Sequence, residues 1–142
     1  MYFEVTVEID ACQSQAWTVL TDVARYPEWT DSMTRVRRVD AGQLRVGSTA
    51  KIKQPRLPTA VWEVTELQPG HAFTWQAKSP GITTVAGHRL DSREKGRTTL
   101  AMTIHQSGPL APVFRPLTAR LVRRYATLEA HGLKRRCQQC RS

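Results

Sequence analysis

Cysteine is scarce in this chain: Cys12, Cys137 and Cys140 are the only three in 142 residues. A small odd number of thiols is a poor basis for a disulfide framework, so the fold has to rest on apolar packing. No window approaches the ~18 apolar residues of a membrane-spanning helix. The opening residues Met1 to Glu8 alternate in polarity, with neither a basic segment nor a long apolar core. They do not read as a signal peptide, and a cytoplasmic protein is the expectation. The sequence also lacks a glycine-rich phosphate loop, a Ser-His-Asp motif and a carboxylate pair on any inward strand face. Cys137-Gln138-Gln139-Cys140 has no second CxxC to complete a four-ligand zinc site. No metal ligand is assigned and no cofactor is expected.

Acid is sparse beside base. There are 12 Asp and Glu against 21 Lys and Arg, for a formal charge of +9. Such an excess invites a nucleic-acid or anionic-membrane reading, so its location matters. Residues 110–142 carry eight bases and one acid, Glu129, a net of +7; residues 1–109 are left with +2. The excess belongs to the C-terminal segment, where cations complement the end of a helix. Nucleic acid is therefore not the expected partner.

What is present is periodicity. One domain fits this length, and a chain of this size buries roughly two-thirds of its unfolded surface. Phe3, Val5, Val7 and Ile9 alternate along a strand. Ala16, Trp17, Val19, Leu20 and Val23 follow with helical spacing. Pro27 ends the first helix ahead of Tyr26, and a second short helix or turn carries Trp29. The period then becomes 2. Strands are predicted over 34–40, 48–54, 59–68, 72–79, 83–92 and 97–105, separated by turn signals such as Pro69-Gly70 and Ser79-Pro80-Gly81. A long amphipathic helix runs from Leu110 to about Arg136, with Leu110, Val113, Phe114, Leu117, Leu121, Tyr125 and Leu128 as its apolar stripe. Pro112 and Pro116 suit a first turn, which starts the regular helix nearer Phe114, and Gly132 is a candidate C-cap. Residues 1–136 form one domain, and 137–142 a mobile tail.

The simplest packing is α+β: a curved antiparallel sheet gripping the C-terminal helix. A gap between the two leaves an apolar cavity, the default ligand site. Parity turns Ala50, Ile52, Gln54, Ala60, Trp62, Val64, Phe73, Trp75, Ala77, Ala86, His88, Leu90, Leu100, Met102 and Ile104 inward. Trp62 and Trp75 suit a planar ligand, or they simply fill the core. His88 is either a core histidine bonded to a neighbour or a polar anchor and general acid/base. Arg124, inside the apolar stripe, either snorkels to the rim or projects into the cavity to meet a ligand's negative end.

Several segments together carry a family resemblance. They are Val7-Glu8-Ile9-Asp10-Ala11, Ala16-Trp17-x-Val19-Leu20-Thr21-Asp22, Tyr26-Pro27-Glu28-Trp29, Trp62-x-Val64-Thr65-Glu66-Leu67-x-Pro69-Gly70, Phe73-x-Trp75 and Ser107-Gly108-Pro109-Leu110. The chain resembles the START-like, helix-grip superfamily, in its bacterial polyketide cyclase/dehydrase branch, over residues 2 to about 136. The resemblance implies a seven-stranded antiparallel sheet around a C-terminal helix, enclosing a hydrophobic cavity for a lipid- or polyketide-like ligand. Cys12-Gln13 stands where the family has Pro-Pro at the first helix, and no catalytic signature transfers residue by residue.

Three functions are weighed. The first is binding of a small hydrophobic molecule, with Trp62, Val64, Phe73, Trp75, Leu90, Leu100, Met102 and Leu121 supplying apolar surface. In that reading His88 and Arg124 set orientation, and Tyr26 and Trp29 gate the mouth. The second is a polyketide cyclase, aromatase or dehydratase in which His88 moves a proton and Arg124 steadies oxyanion charge. The third is a nucleic-acid or membrane-surface binder driven by the basic C-terminus. The oligomeric state stays open, a homodimer included.

Overall fold

Strict alternation builds the first strand. Phe3, Val5, Val7 and Ile9 turn inward along β1 (Tyr2–Ile9), while Glu4, Thr6 and Glu8 face solvent. The computed structural model describes residues 2–139. After β1 come α1 (Gln13–Thr21), a 3₁₀ segment (Val23–Glu28), six strands and the helix α2 (Ala111–Gln139). The strands are β2 (Arg35–Arg38), β3 (Thr49–Lys53), β4 (Ala60–Gln68), β5 (Ala72–Ser79), β6 (Ile82–Glu94) and β7 (Arg97–Ser107).

Among the described residues these strands make one antiparallel sheet in the order β1-β7-β6-β5-β4-β3-β2. β2 to β7 form a meander, and β1 adds at the far edge beside β7. The architecture is the expected helix grip. The inward set also holds: Ala50, Ile52, Val64, Phe73, Trp75, Ala77, Ala86, His88, Leu90, Leu100, Met102 and Ile104 are all buried. A bulge between Val64 and Glu66 resets parity within β4, so that Leu67 comes opposite Phe73. Val36 lies opposite Ile52 and packs against the core, whereas Val39 is exposed.

α1 is short and has no side-chain N-cap at Cys12. Its first residue instead donates from Gln13 Nε2 to the Gly70 carbonyl at 2.7 Å, which ties the helix to the β4–β5 turn. Ala16 and Leu20 then bury its inner face. Tyr26, fully buried, donates its hydroxyl to the Leu20 carbonyl at 2.5 Å.

α2 departs from expectation in three ways. It starts at Ala111, with Pro116 inside it, and runs past Arg136 through Gln139. Cys137 is helical and fully buried, so it is not tail; Cys140 to Ser142 lie outside the described residues. The buried stripe is also rotated. Tyr125, Ala126, Ala130, Leu133 and Cys137 face inward, whereas Leu110, Val113 and Phe114 are exposed. The Leu117 side chain lies outside what is described. Gly132 is not a cap but a point of close approach: a Cβ there would stand 2.3 Å from the Trp29 carbonyl oxygen.

Candidate functional site

Packing is uneven along the grip. Ile9, Leu20, Leu90, Leu100, Ala130 and Leu133 seal one half of the interior. The other half keeps a cavity of about 210 Å³ between the sheet and the middle of α2. Trp62, Trp75, Ala77 and Ala86 line it from the sheet, and Val122, Tyr125, Ala126 and Glu129 from α2. Leu57 and Pro58 of the β3–β4 loop and Ser79 and Ile82 of the β5–β6 turn complete the wall. Tyr125 holds that β3–β4 loop by donating its hydroxyl to the Pro55 carbonyl.

The aromatic wall is continuous. The Trp62 and Trp75 rings lie 5.7 Å apart at 44°, and Trp75 meets Phe73 edge-on at 5.4 Å. Cross-strand register explains this: Trp75 lies opposite Val64 on β4, one inward position beyond Trp62. Such rings present large flat apolar faces with few rotatable bonds.

Polar chemistry enters at one point. Glu129, buried on α2, lines the cavity and stands 3.7 Å (Oε1) from Nε2 of buried His88 on β6. Among the described residues, neither His88 ring nitrogen nor Glu129 Oε1 has a hydrogen-bond partner. Buried polar atoms are normally satisfied; of these three, only Glu129 Oε1 belongs to a residue of the cavity lining. The His88 ring is clamped by stacking on Phe73, with centroids 4.4 Å apart at 12°. Tyr26 feels the same group: burial, then the Glu129 carboxylate, holds its phenol well above the usual range. Gln106 and Gln54 supply two more polar groups to the lining, Gln106 Nε2 lying 3.3 Å from Thr84 Oγ1.

The sequence-derived candidates therefore separate. Trp62 and Trp75 line the cavity. Val64, Leu90, Leu100 and Met102 lie in the sealed core, and Phe73 serves as the plate against which His88 stacks. Leu121 is only half-buried and is not part of the lining. Tyr26 and Trp29 are buried in the core rather than set at a mouth, because Gly132 lets α2 press onto Trp29. Arg124 is exposed, so its projection into the cavity is corrected: rotation of the α2 stripe turns it to solvent. His88 faces inward as expected but behind Glu129, whose carboxylate is on the wall. Sequence reasoning missed Glu129. Its one signal is being the sole acid among residues 110–142, four residues after Tyr125.

A family model described as polyketide cyclase / dehydrase and lipid transport matches residues 2–138. No curated protein matches the chain. Among solved structures, the Zhui aromatase/cyclase from Streptomyces sp. R1128 superposes with a TM-score of 0.79 at 17% identity, covering 98% of this chain and 94% of that one. A START superfamily protein from Mycobacterium smegmatis gives 0.76 at 16% identity, with 98% of each chain covered. A protein from Thermus thermophilus gives 0.81 at 11% identity, with 100% of each covered. At these identities the likeness is one of fold. Among the described residues no helix is long and apolar enough to cross a membrane.

Proposed function

Because the chain belongs to the polyketide cyclase/dehydrase and lipid transport family, we infer that it binds a small hydrophobic molecule in the cavity between the sheet and α2. The observation that carries this reading is the cavity itself: a mainly apolar, partly open pocket paved by Trp62 and Trp75, with a buried carboxylate, Glu129, on its wall. Burial of the ligand's apolar surface supplies affinity at roughly 25 cal/mol per Å², and Glu129 orients a ligand hydroxyl or other donor. That reverses the polarity expected of Arg124: the wall accepts hydrogen bonds instead of reading a negative end. About 210 Å³ lies below the ~300–1,000 Å³ of drug-sized sites. A one- or two-ring aromatic body, or a chain entering end-first, fits this volume.

Titration with small phenolic polyketides, sterols and fatty acids, read by tryptophan fluorescence, tests the proposal. Quenching that is lost on Trp62→Ala is expected. Unchanged fluorescence across the whole set rejects it.

The second reading, an enzyme of the aromatase, cyclase or dehydratase type, is favoured by the His88–Glu129 contact. Glu129 would exchange a proton with the substrate, and His88, 3.7 Å behind it, would compensate the charge on the carboxylate. A cytoplasmic location and a small-molecule rather than nucleic-acid partner complete the proposal.

A further inference from the structure

The charge of this molecule is nearly balanced by count over residues 1–109 and unbalanced in space. Antiparallel pairing of β2 with β3 sets Arg35 opposite Lys53 and Arg37 opposite Lys51. Val36 and Ile52 point inward, so these four cations share the outer face of the sheet. Opposed residues in such a ladder stand ~4.5–5.5 Å apart at Cβ, where like charges destabilise the pair.

No ion pair among the described residues relieves this repulsion. Among the described residues, Arg25, Arg38, Arg45, Arg89, Arg97 and Arg136 each have a carboxylate oxygen within 4.0 Å, and none of the four outer-face cations does. Lys53 Nζ donates to the carbonyls of Gln54, at 3.0 Å, and Leu57. Charges along an edge strand guard against strand addition. That accounts for β2 but not for β3, which is flanked on both sides.

The four cations line a concavity of about 350 Å³ together with Thr34 and Thr59. Two guanidinium forks, the Lys51 ammonium and two hydroxyls, beside a Lys53 whose ammonium is already bonded to two carbonyls, make a cationic, donor-rich surface suited to oxyanions. We propose that this outer-face cleft is a binding site for a phosphate-bearing group, gripped by Arg35 and Arg37 and neutralised by Lys51 and Lys53. A single phosphomonoester carries about −1.5 to −2, so a pyrophosphate-sized anion matches the four cations better. Thr59 lines both this cleft and the apolar cavity. The phosphate is therefore supplied either from solution or as the headgroup of an amphiphile lying at the cavity's rim.

Two probes separate these sources. The full chain is titrated calorimetrically with pyrophosphate, and floated with phosphatidylcholine vesicles with and without phosphatidic acid. The triple variant Arg35→Gln, Arg37→Gln, Lys51→Gln changes only exposed side chains. A charge-matched control, Arg120→Gln, Arg124→Gln, Arg135→Gln, changes exposed side chains of α2. Binding to pyrophosphate, weakened about tenfold or more in the first variant and kept in the control, supports the site with a soluble source. Binding to phosphatidic acid vesicles alone, with the same variant pattern, supports it with a lipid source. No binding to either probe, or equal loss in the two variants, overturns the proposal.

Discussion

His88 and Glu129 meet across the sheet–helix junction with Nε2 and Oε1 3.7 Å apart, both side chains almost fully buried. Strand β6 contributes one partner and α2 the other. Neither of these two atoms has a hydrogen-bond partner among the described residues. A buried pair of this kind is costly to break on one side and cheap to remove whole.

That asymmetry is measurable. His88→Leu leaves the Glu129 carboxylate with no basic group within 4.0 Å among the described residues. It is expected to lower stability by roughly 3 kcal/mol or more. The double variant His88→Leu, Glu129→Met should recover most of that loss in urea unfolding. Simple additivity of the two single changes would mean that the residues are energetically independent.

Gly132→Ala should go against helix propensity. In an exposed helix interior the change stabilises by about 1 kcal/mol. Here the new Cβ would stand 2.3 Å from the Trp29 carbonyl oxygen and 3.0 Å from its ring. Overpacking of this kind costs typically ~1–3 kcal/mol. A lower thermal midpoint is expected, and a raised one would show that the α2–Trp29 contact is loose.

The two cavity tryptophans should separate binding from stability. Trp75 is buried and touches Tyr26, Trp62, Phe73 and His88. Trp75→Ala is expected to cost about 3–5 kcal/mol. Trp62 is only half-buried, so Trp62→Ala should weaken ligand quenching while the urea midpoint shifts less. Equal destabilisation by the two changes would assign Trp62 to the core rather than to a ligand surface.

Acid sensitivity should concentrate at Asp40. Partial burial pushes its carboxyl up, but Ser48 at 2.9 Å, the Thr49 amide at 3.1 Å and Arg38 at 3.0 Å together hold it below the usual carboxylate range. A depressed folded-state pKa contributes stability that is complete above the unfolded value, about 3.9. That stability is lost as pH falls through the lower folded value. Wild type should lose stability below about pH 4 more steeply than Asp40→Asn, followed by urea unfolding at stepped pH. Parallel curves would place the acid-labile group elsewhere.

The strands were legible because their signal is local. Alternation from Ala72 to Ser79 turns Phe73, Trp75 and Ala77 inward, and pairing of β5 with β6 leaves no other choice for His88. A one-residue slip would expose every one of these side chains. α2 was read less well. Its buried face is made largely of Ala126, Ala130, Gly132 and Cys137, small residues that contribute little to an apolar stripe, whereas bulky Val113 and Phe114 lie outside it.

By itself, then, the sequence determined the element order, the inward faces of the strands, the Trp62–Trp75 pavement and the net charge of +9. Period and composition are properties of the chain, and any fold must respect them. Only tertiary structure decided that Glu129 rather than Arg124 turns inward, that Tyr26 and Trp29 are core, and that Arg35, Arg37, Lys51 and Lys53 form one cleft. The physical reason is common to all three. Helix rotation is set by where small side chains permit close approach, and strand register by pairing between distant segments. Neither leaves a mark within any single stretch of the chain.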